Sequence, residues 1–213
     1  MTSRPMIISV EGNIGSGKST LVEKLRSSLP SIVTLQEPVA EWETIRDREG
    51  ETILTKFYRD QETYAFPFQM MAYISRLASI RRTRRENPHA ILVTERSVET
   101  DRHVFAQMLH DEGKIGEVEH QIYLRWFDEF IEEIPISATI YVKASPETCN
   151  QRIQKRNRKG ETIPLDYLER CGEYHEGWLS EETHPVLVLD GDQEMTEQLE
   201  SDWLDQIRIF IQS

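Results

Sequence analysis

Residues 12–20, Gly-Asn-Ile-Gly-Ser-Gly-Lys-Ser-Thr, constrain this chain more than any other stretch. They fit the phosphate-loop pattern G-x-x-x-x-G-K-[ST], with Gly12, Gly17, Lys18 and Ser19 at the fixed positions. Glycines let successive backbone N–H groups turn inward as an anion-binding nest, which a Cβ would obstruct. The loop as a whole, Gly12, Asn13, Ile14, Gly15, Ser16, Gly17, Lys18, Ser19 and Thr20, is the expected cradle for the phosphates of a donor nucleotide. Lys18 is placed to reach the outer phosphates, Ser19 to put its hydroxyl on Mg2+, and the helix that opens there turns its positive end toward the anion. Chance alone yields the pattern in about one chain in a hundred of this length. Its flanks are the required ones. The apolar run 6–10 predicts a buried strand, and Leu21, Val22 and Leu25 follow at helical spacing. A dinucleotide fingerprint is excluded, because Thr20 stands where its last glycine belongs.

A cradle of this kind needs a sheet, and 213 residues are enough for one α/β domain, 1–213, and short for two. The net charge of -12 speaks against nucleic acid as a partner, so any anion site must be locally basic. Cys149 and Cys171 have no metal-ligand spacing and predict free thiols in a reducing, cytoplasmic setting. No apolar run approaches a membrane span. With a strand starting so close to Met1, no targeting segment is expected.

Strands are predicted at 32–35, 90–94, 139–142 and 186–189, separated by helical patterns. That alternation predicts a three-layer α/β/α fold around a five-stranded parallel sheet. Glu37, at the tip of the second strand, lies on the edge that carries the phosphate loop. Alone it fits a solvated loop acid as well as an acceptor for a hydroxyl proton. Residues 61–86 predict a long helix, with Pro67 near its true start or kinking it. Phe66, Gln69, Ala72, Tyr73 and Arg76 share one face of it, either a solvated face or the wall of a pocket for a planar base. The third strand runs into Glu95-Arg96-Ser97. Glu95 stands where an acid can hold Mg2+, and Arg96 where a cation can stabilise a transferred phosphoryl group. Asp101 follows within reach of Arg76 if the two helices face each other.

Further on, 117–134 carries two apolar stripes, Val118, Ile122, Trp126 and Phe130, then Tyr123, Phe127, Ile131 and Ile134. Core packing or a second subunit would cover them. The helix after Ser145-Pro146 ends in Arg152, Lys155, Arg156, Arg158 and Lys159, with no acid among 148–160. This basic end reads as an exposed helix terminus or a phosphate clamp, a lid over about 152–162 with Gly160 as its flexible point.

Taken in order, the segments resemble the deoxyribonucleoside kinase family, in particular its deoxycytidine and deoxyguanosine kinase branch. The matching stretches are 11–20, Glu37-Pro38-Val39 with Trp42, the Phe-Pro-Phe-Gln run ending at Gln69, and Glu95-Arg96-Ser97 with Asp101-Arg102. They continue with 152–158, Ile163-Pro164-Leu165-x-Tyr167-Leu168 and His175-Glu176-x-Trp178-Leu179. The resemblance implies a kinase that moves the γ-phosphoryl group of ATP or another triphosphate to a deoxynucleoside 5′-hydroxyl. By it, Glu37 is the general base and Arg96 helps to hold the hydroxyl and the developing charge. Ser19 and Glu95 serve Mg2+, while Arg152, Arg156 and Arg158 close over the triphosphate. Trp42, Tyr58, Phe66, Gln69, Arg76, Asp101 and Glu161 bind the nucleoside, with Tyr58 and Glu161 at the sugar 3′-hydroxyl. The Arg76 and Asp101 pair implies deoxycytidine or purine deoxynucleosides over thymidine, and the family implies a homodimer. The lid, from Arg158 to Ile163, is about one residue shorter than in the animal enzymes, and 190–195, where the donor base belongs, does not align.

Two other readings share the phosphate loop. A thymidylate-type nucleoside monophosphate kinase places an aspartate-arginine pair where this chain has Glu95-Arg96-Ser97. A regulatory nucleotide switch would carry an Asn-Lys-x-Asp guanine motif, which this sequence lacks.

Overall fold

The computed structural model describes residues 6–158 and 161–212. Lys159 and Gly160, the expected basic end and flexible point of the lid, lie outside the described residues.

Five strands, β1 (Ile7–Glu11), β2 (Ile32–Leu35), β3 (Ile91–Glu95), β4 (Ala138–Lys143) and β5 (Val186–Asp190), form one parallel sheet in the order β2-β3-β1-β4-β5. The helices, in chain order, are α1 (Lys18–Ser28), α2 (Val39–Trp42), α3 (Ile53–Arg59), α4 (Gln61–Glu86), α5 (Val98–Thr100), α6 (Gln107–Asp111), α7 (Glu117–Phe130), α8 (Pro146–Arg156), α9 (Leu165–Ser180) and α10 (Glu197–Gln212). Between α5 and α6 the chain keeps turning through π-helical residues Asp101–Ala106. Crossovers between parallel strands carry the helices onto the two faces, giving the expected three layers.

Side chains alternate across the sheet with period two, and both faces are apolar because both are covered. Ile7 and Leu92 point into a core built with α3, α4 and α7. Ile8, Val10, Val93, Ile140 and Val142 point into a second core with Leu21, Val22 and Leu25 of α1 and Trp203 and Ile207 of α10. A third cluster, around Met108, Cys149, Ile153, Leu168 and Cys171, ties α6, α8 and α9 together beside the phosphate loop.

Two details differ from the sequence reading. The pattern over 117–134 predicts a single helix, but α7 ends at Phe130 and Ile131–Glu133 tightens into a 3₁₀ turn. Pro67, expected near the start of the helix or at a kink, lies six residues after α4 begins at Gln61. It sits inside the second turn on an exposed face, where water can satisfy the carbonyl left without its N–H partner. α4 thus continues from Gln61 to Glu86 with Pro67 inside it.

No helix among the described residues is long and apolar enough to cross a membrane. Ile140, fully buried at the centre of β4, is the most direct test of the sheet core. Ile140→Ala should cost about 2–5 kcal/mol. In a urea titration this appears as a lower midpoint with an unchanged slope.

Candidate active site

Parallel strands bring their carboxyl ends to one edge, and β1, β3 and β2 lie side by side. The phosphate loop after β1, Glu95 and Arg96 at the end of β3, and Glu37 just past β2 are therefore neighbours in space. They open into a cavity of about 590 Å³ whose walls come from the loop, α3, α4, the π-helical segment and the end of α8. The cavity has two ends, one basic and one lined by aromatic and paired charged groups.

At the phosphate end, Gly12 and Gly15 hold φ of +144° and +83°. A Cβ on Gly12 would stand 2.5 Å from the Val142 carbonyl, and one on Gly15 2.6 Å from that of Cys149. Neither position admits a side chain. The amino end of α1 has no side-chain cap, so its N–H groups remain open to an anion. Lys18 is buried and rests on the Asn13 carbonyl at 2.6 Å. Burial, with Arg96 nearby, pulls its ammonium down to about 7. The Asn13 side chain faces away from the cavity, donating to the Leu168 carbonyl at 2.7 Å, so Asn13 shapes the loop through its amide and offers only backbone to a ligand. Ser19 Oγ donates to Glu95 Oε1 at 2.5 Å. A hydroxyl and a carboxylate oxygen meeting beside a phosphate cradle are the hard, oxygen-only donors that Mg2+ takes, so Ser19 and Glu95 fit that ion. No cluster of three or more His, Cys, Asp or Glu suited to a metal occurs among the described residues.

At the other end, Arg76 reaches from α4 to three groups. It donates to Asp101 (Nε to Oδ2, 2.9 Å), to Glu37 Oε1 at 2.9 Å, and to the Glu95 carbonyl at 3.0 Å. Burial disfavours its charge, but Asp101 and Glu37 outweigh that and hold the guanidinium well above its ordinary range. Arg96 Nε approaches the same Glu37 oxygen at 3.4 Å. Burial would raise the Glu37 carboxyl, yet Arg96 and Arg76 together hold it down to about 2. Both contacts fall on Oε1. Oε2 takes no hydrogen bond from a described residue, and the side chain keeps 20% exposure.

Arg96 has φ +62°, a left-handed conformation that costs a non-glycine residue about 1 kcal/mol or more. The turn lays its guanidinium over the Phe105 ring at 4.8 Å. Its Nη1 is buried with no partner among the described residues. Gln69, only 2% exposed, likewise has an unpartnered Oε1 while lining the cavity. Buried polar atoms without partners are costly, and their presence in a cavity wall marks where a ligand supplies them.

Trp42 and Phe68 meet edge to face at 5.6 Å on the same wall, and Phe57 stacks on Phe68 at 4.5 Å. The structure brings together every sequence-predicted nucleoside residue except Phe66. That ring packs against the core instead, and Phe68, two residues on, takes the cavity position. Tyr73 also leaves the predicted pocket face, its hydroxyl donating to the Trp126 carbonyl at 2.8 Å. Phe105 is a wall residue that sequence reasoning missed, because the π-helical turns shift its register. Tyr58 and Glu161 face the same cavity, and burial, with Glu161 next, raises the tyrosine hydroxyl above its ordinary value. Glu161 binds Arg156 at 2.6 Å and lies 3.7 Å from Arg158, while Arg152 donates to the Ser16 carbonyl at 3.0 Å. All three arginines line the cavity, Arg152 against the phosphate loop and Arg156 and Arg158 against Glu161.

A deoxynucleoside kinase family model matches residues 8–212. Deoxycytidine kinase 2 of Gallus gallus is 35% identical, over 97% of this chain and 90% of that protein. Deoxycytidine kinase of Homo sapiens is 33% identical, over 96% and 90%. Thymidine kinase 2, mitochondrial, of Homo sapiens is 35% identical, over 91% and 74%. A phosphate cradle facing a carboxylate held by two arginines, and a match along nearly the whole chain, establish that this protein belongs to the deoxynucleoside kinase family.

Proposed function

We propose that this kinase transfers the γ-phosphoryl group of ATP, or another nucleoside triphosphate, to the 5′-hydroxyl of deoxycytidine or a purine deoxynucleoside in preference to thymidine. The observation that carries this reading is the buried Arg76–Asp101 pair together with the unpartnered Gln69 Oε1 on the cavity wall. Gln69 Oε1 and the Asp101 carboxylate held by Arg76 are acceptors for a base's exocyclic amino group, which cytosine, adenine and guanine carry and thymine lacks, and a pocket built to hydrogen-bond rejects a substrate that leaves them unpaired.

With the base against Gln69 and Arg76, the sugar lies toward Tyr58 and Glu161, which bind its 3′-hydroxyl. The 5′-hydroxyl then faces Glu37. Glu37 Oε2 accepts its proton as the oxygen attacks the γ-phosphorus and the bond to the β,γ-bridging oxygen breaks, releasing the nucleoside diphosphate, and Arg96 Nη1 donates to the charge that develops. Lys18 leaves the Asn13 carbonyl for the outer phosphates, whose charge favours its protonated form. Arg152, Arg156 and Arg158, in the lid over 152–162, bind the triphosphate from above. Ser19 and Glu95 would hold Mg2+, which when bound neutralises the β- and γ-phosphate oxygens. Positioning and electrostatics supply most of the rate.

The two buried free thiols support a reducing, cytoplasmic setting. A homodimer is supported by the α7 stripe, where Val118 is 70% exposed and Trp126 46%, with Ile74 of α4 alongside. Sedimentation should give twice the 25.0 kDa chain mass, and Trp126→Glu should release the monomer. A monomeric native protein would overturn the dimer.

Incubation with Mg-ATP and the four deoxynucleosides should yield deoxycytidine or purine 5′-monophosphates well ahead of thymidylate. Phosphorylation of monophosphates only would move the chain to the thymidylate-kinase type of chemistry. Glu37→Gln should lower kcat by roughly 10²- to 10⁴-fold in steady-state assays. A rate near wild type would remove Glu37 from the role of base.

A further inference from the structure

Glu11 is the last residue of β1, directly before the phosphate loop, and its side chain is completely buried. It forms no ion pair among the described residues. Instead it collects hydroxyls: Ser9 and Ser97 donate to Oε1, the latter at 2.9 Å, and Thr100 donates to Oε2. A carboxylate is retained in a protein interior only when its oxygens are satisfied, and three O–H donors do so here.

Two of those donors sit just beyond Arg96. Ser97 and Thr100 also cap one another: Thr100 N–H donates to Ser97 Oγ, and Ser97 N–H to Thr100 Oγ1, each at 3.3 Å. On the other side of the turn, the Arg96 N–H donates to the Val10 carbonyl at 3.0 Å. The left-handed Arg96 is therefore pinned on both sides by consecutive residues of β1, Val10 through its backbone and Glu11 through its side chain. A conformation of this kind persists only where its surroundings over-determine it.

We infer that Glu11 is a positioning residue: by holding Ser97 and Thr100 it fixes the turn that aims the Arg96 guanidinium between Phe105 and Glu37. The carboxylate thereby couples the root of the phosphate loop to the acceptor side of the site. This inference rests on the reading of Arg96 as the group that stabilises developing charge, and Arg96→Lys tests that reading separately. If Arg96→Lys leaves kcat unchanged, the reading of Arg96 fails whatever Glu11 does.

Glu11→Gln removes one acceptor oxygen without changing shape. In a folded variant, kcat should fall about 10- to 100-fold while KM for the triphosphate and the nucleoside moves less than about 3-fold. In an Arg96→Lys background the same change should cost less than about 3-fold, because the group it positions is already altered. Thr100→Val should reproduce part of the loss and Thr100→Ser should restore it, which decides the question if Glu11→Gln does not fold. A Glu11→Gln enzyme within about 2-fold of wild-type kcat, or a full loss that persists in the Arg96→Lys background, would overturn the inference. A rise in KM with unchanged kcat would overturn it too, by placing Glu11 in the shape of the phosphate loop instead.

Discussion

The acceptor half of this molecule depends on one buried guanidinium. Arg76 bridges Asp101 and Glu37 and also takes the Glu95 carbonyl, so a single side chain from α4 joins β3, the segment after β2 and the π-helical turns. Removing water from charges is expensive, and a buried pair stands only if nearly every donor and acceptor is used. Arg76 meets that condition because its planar fork reaches several acceptors at once, which a lysine could not do. The consequence is chemical as well as structural. With Arg76 and Arg96 on Oε1, Glu37 is held ionised and oriented, and its second oxygen takes no hydrogen bond from a described residue.

Stability and function pull apart at this edge of the sheet. The cores on either face have apolar groups packed against apolar groups, with Ile8, Val10 and Ile140 fully covered. The cavity instead keeps Gln69 Oε1 and Arg96 Nη1 unpartnered and holds Arg96 in a left-handed turn. Each feature costs stability. They occur together at the strand ends, where a parallel sheet offers a crevice and the rest of the fold supplies the rigidity to hold them.

Much of this was legible in the sequence because it depends on local pattern. The phosphate loop has fixed spacing, strand tips are found by counting apolar runs, and Glu37, Glu95 and Arg96 all follow such tips. Gln69 and Arg76 are seven residues apart, close to two helical turns, so their common face survives small errors in register. Phe66 and Phe68 do not share that tolerance. Two residues on a helix differ by more than half a turn, and only the packed structure decides which ring meets the cavity. Phe105 was hidden for a related reason, since π-helical turns break the 3.6-residue period on which such readings rest. The π segment begins at Asp101, the partner of Arg76. The departure from regular geometry therefore falls where a buried ion pair and a cavity wall must be met by one short stretch of chain.

The role of Glu11 was invisible for a different reason. In the sequence Glu11 is only the first residue of the stretch 11–20, and no spacing rule links it to Ser97 and Thr100, more than eighty positions away. The link is made by sheet order. Because β1 lies directly beside β3, with Val10 paired to Glu95, the residue that follows Val10 reaches the residues that follow Glu95. A parallel sheet thus does more than gather side chains at one edge. It also lets a side chain of the strand that launches the phosphate loop bond the turn after β3, and in the role proposed for Glu11 that bond aims the arginine.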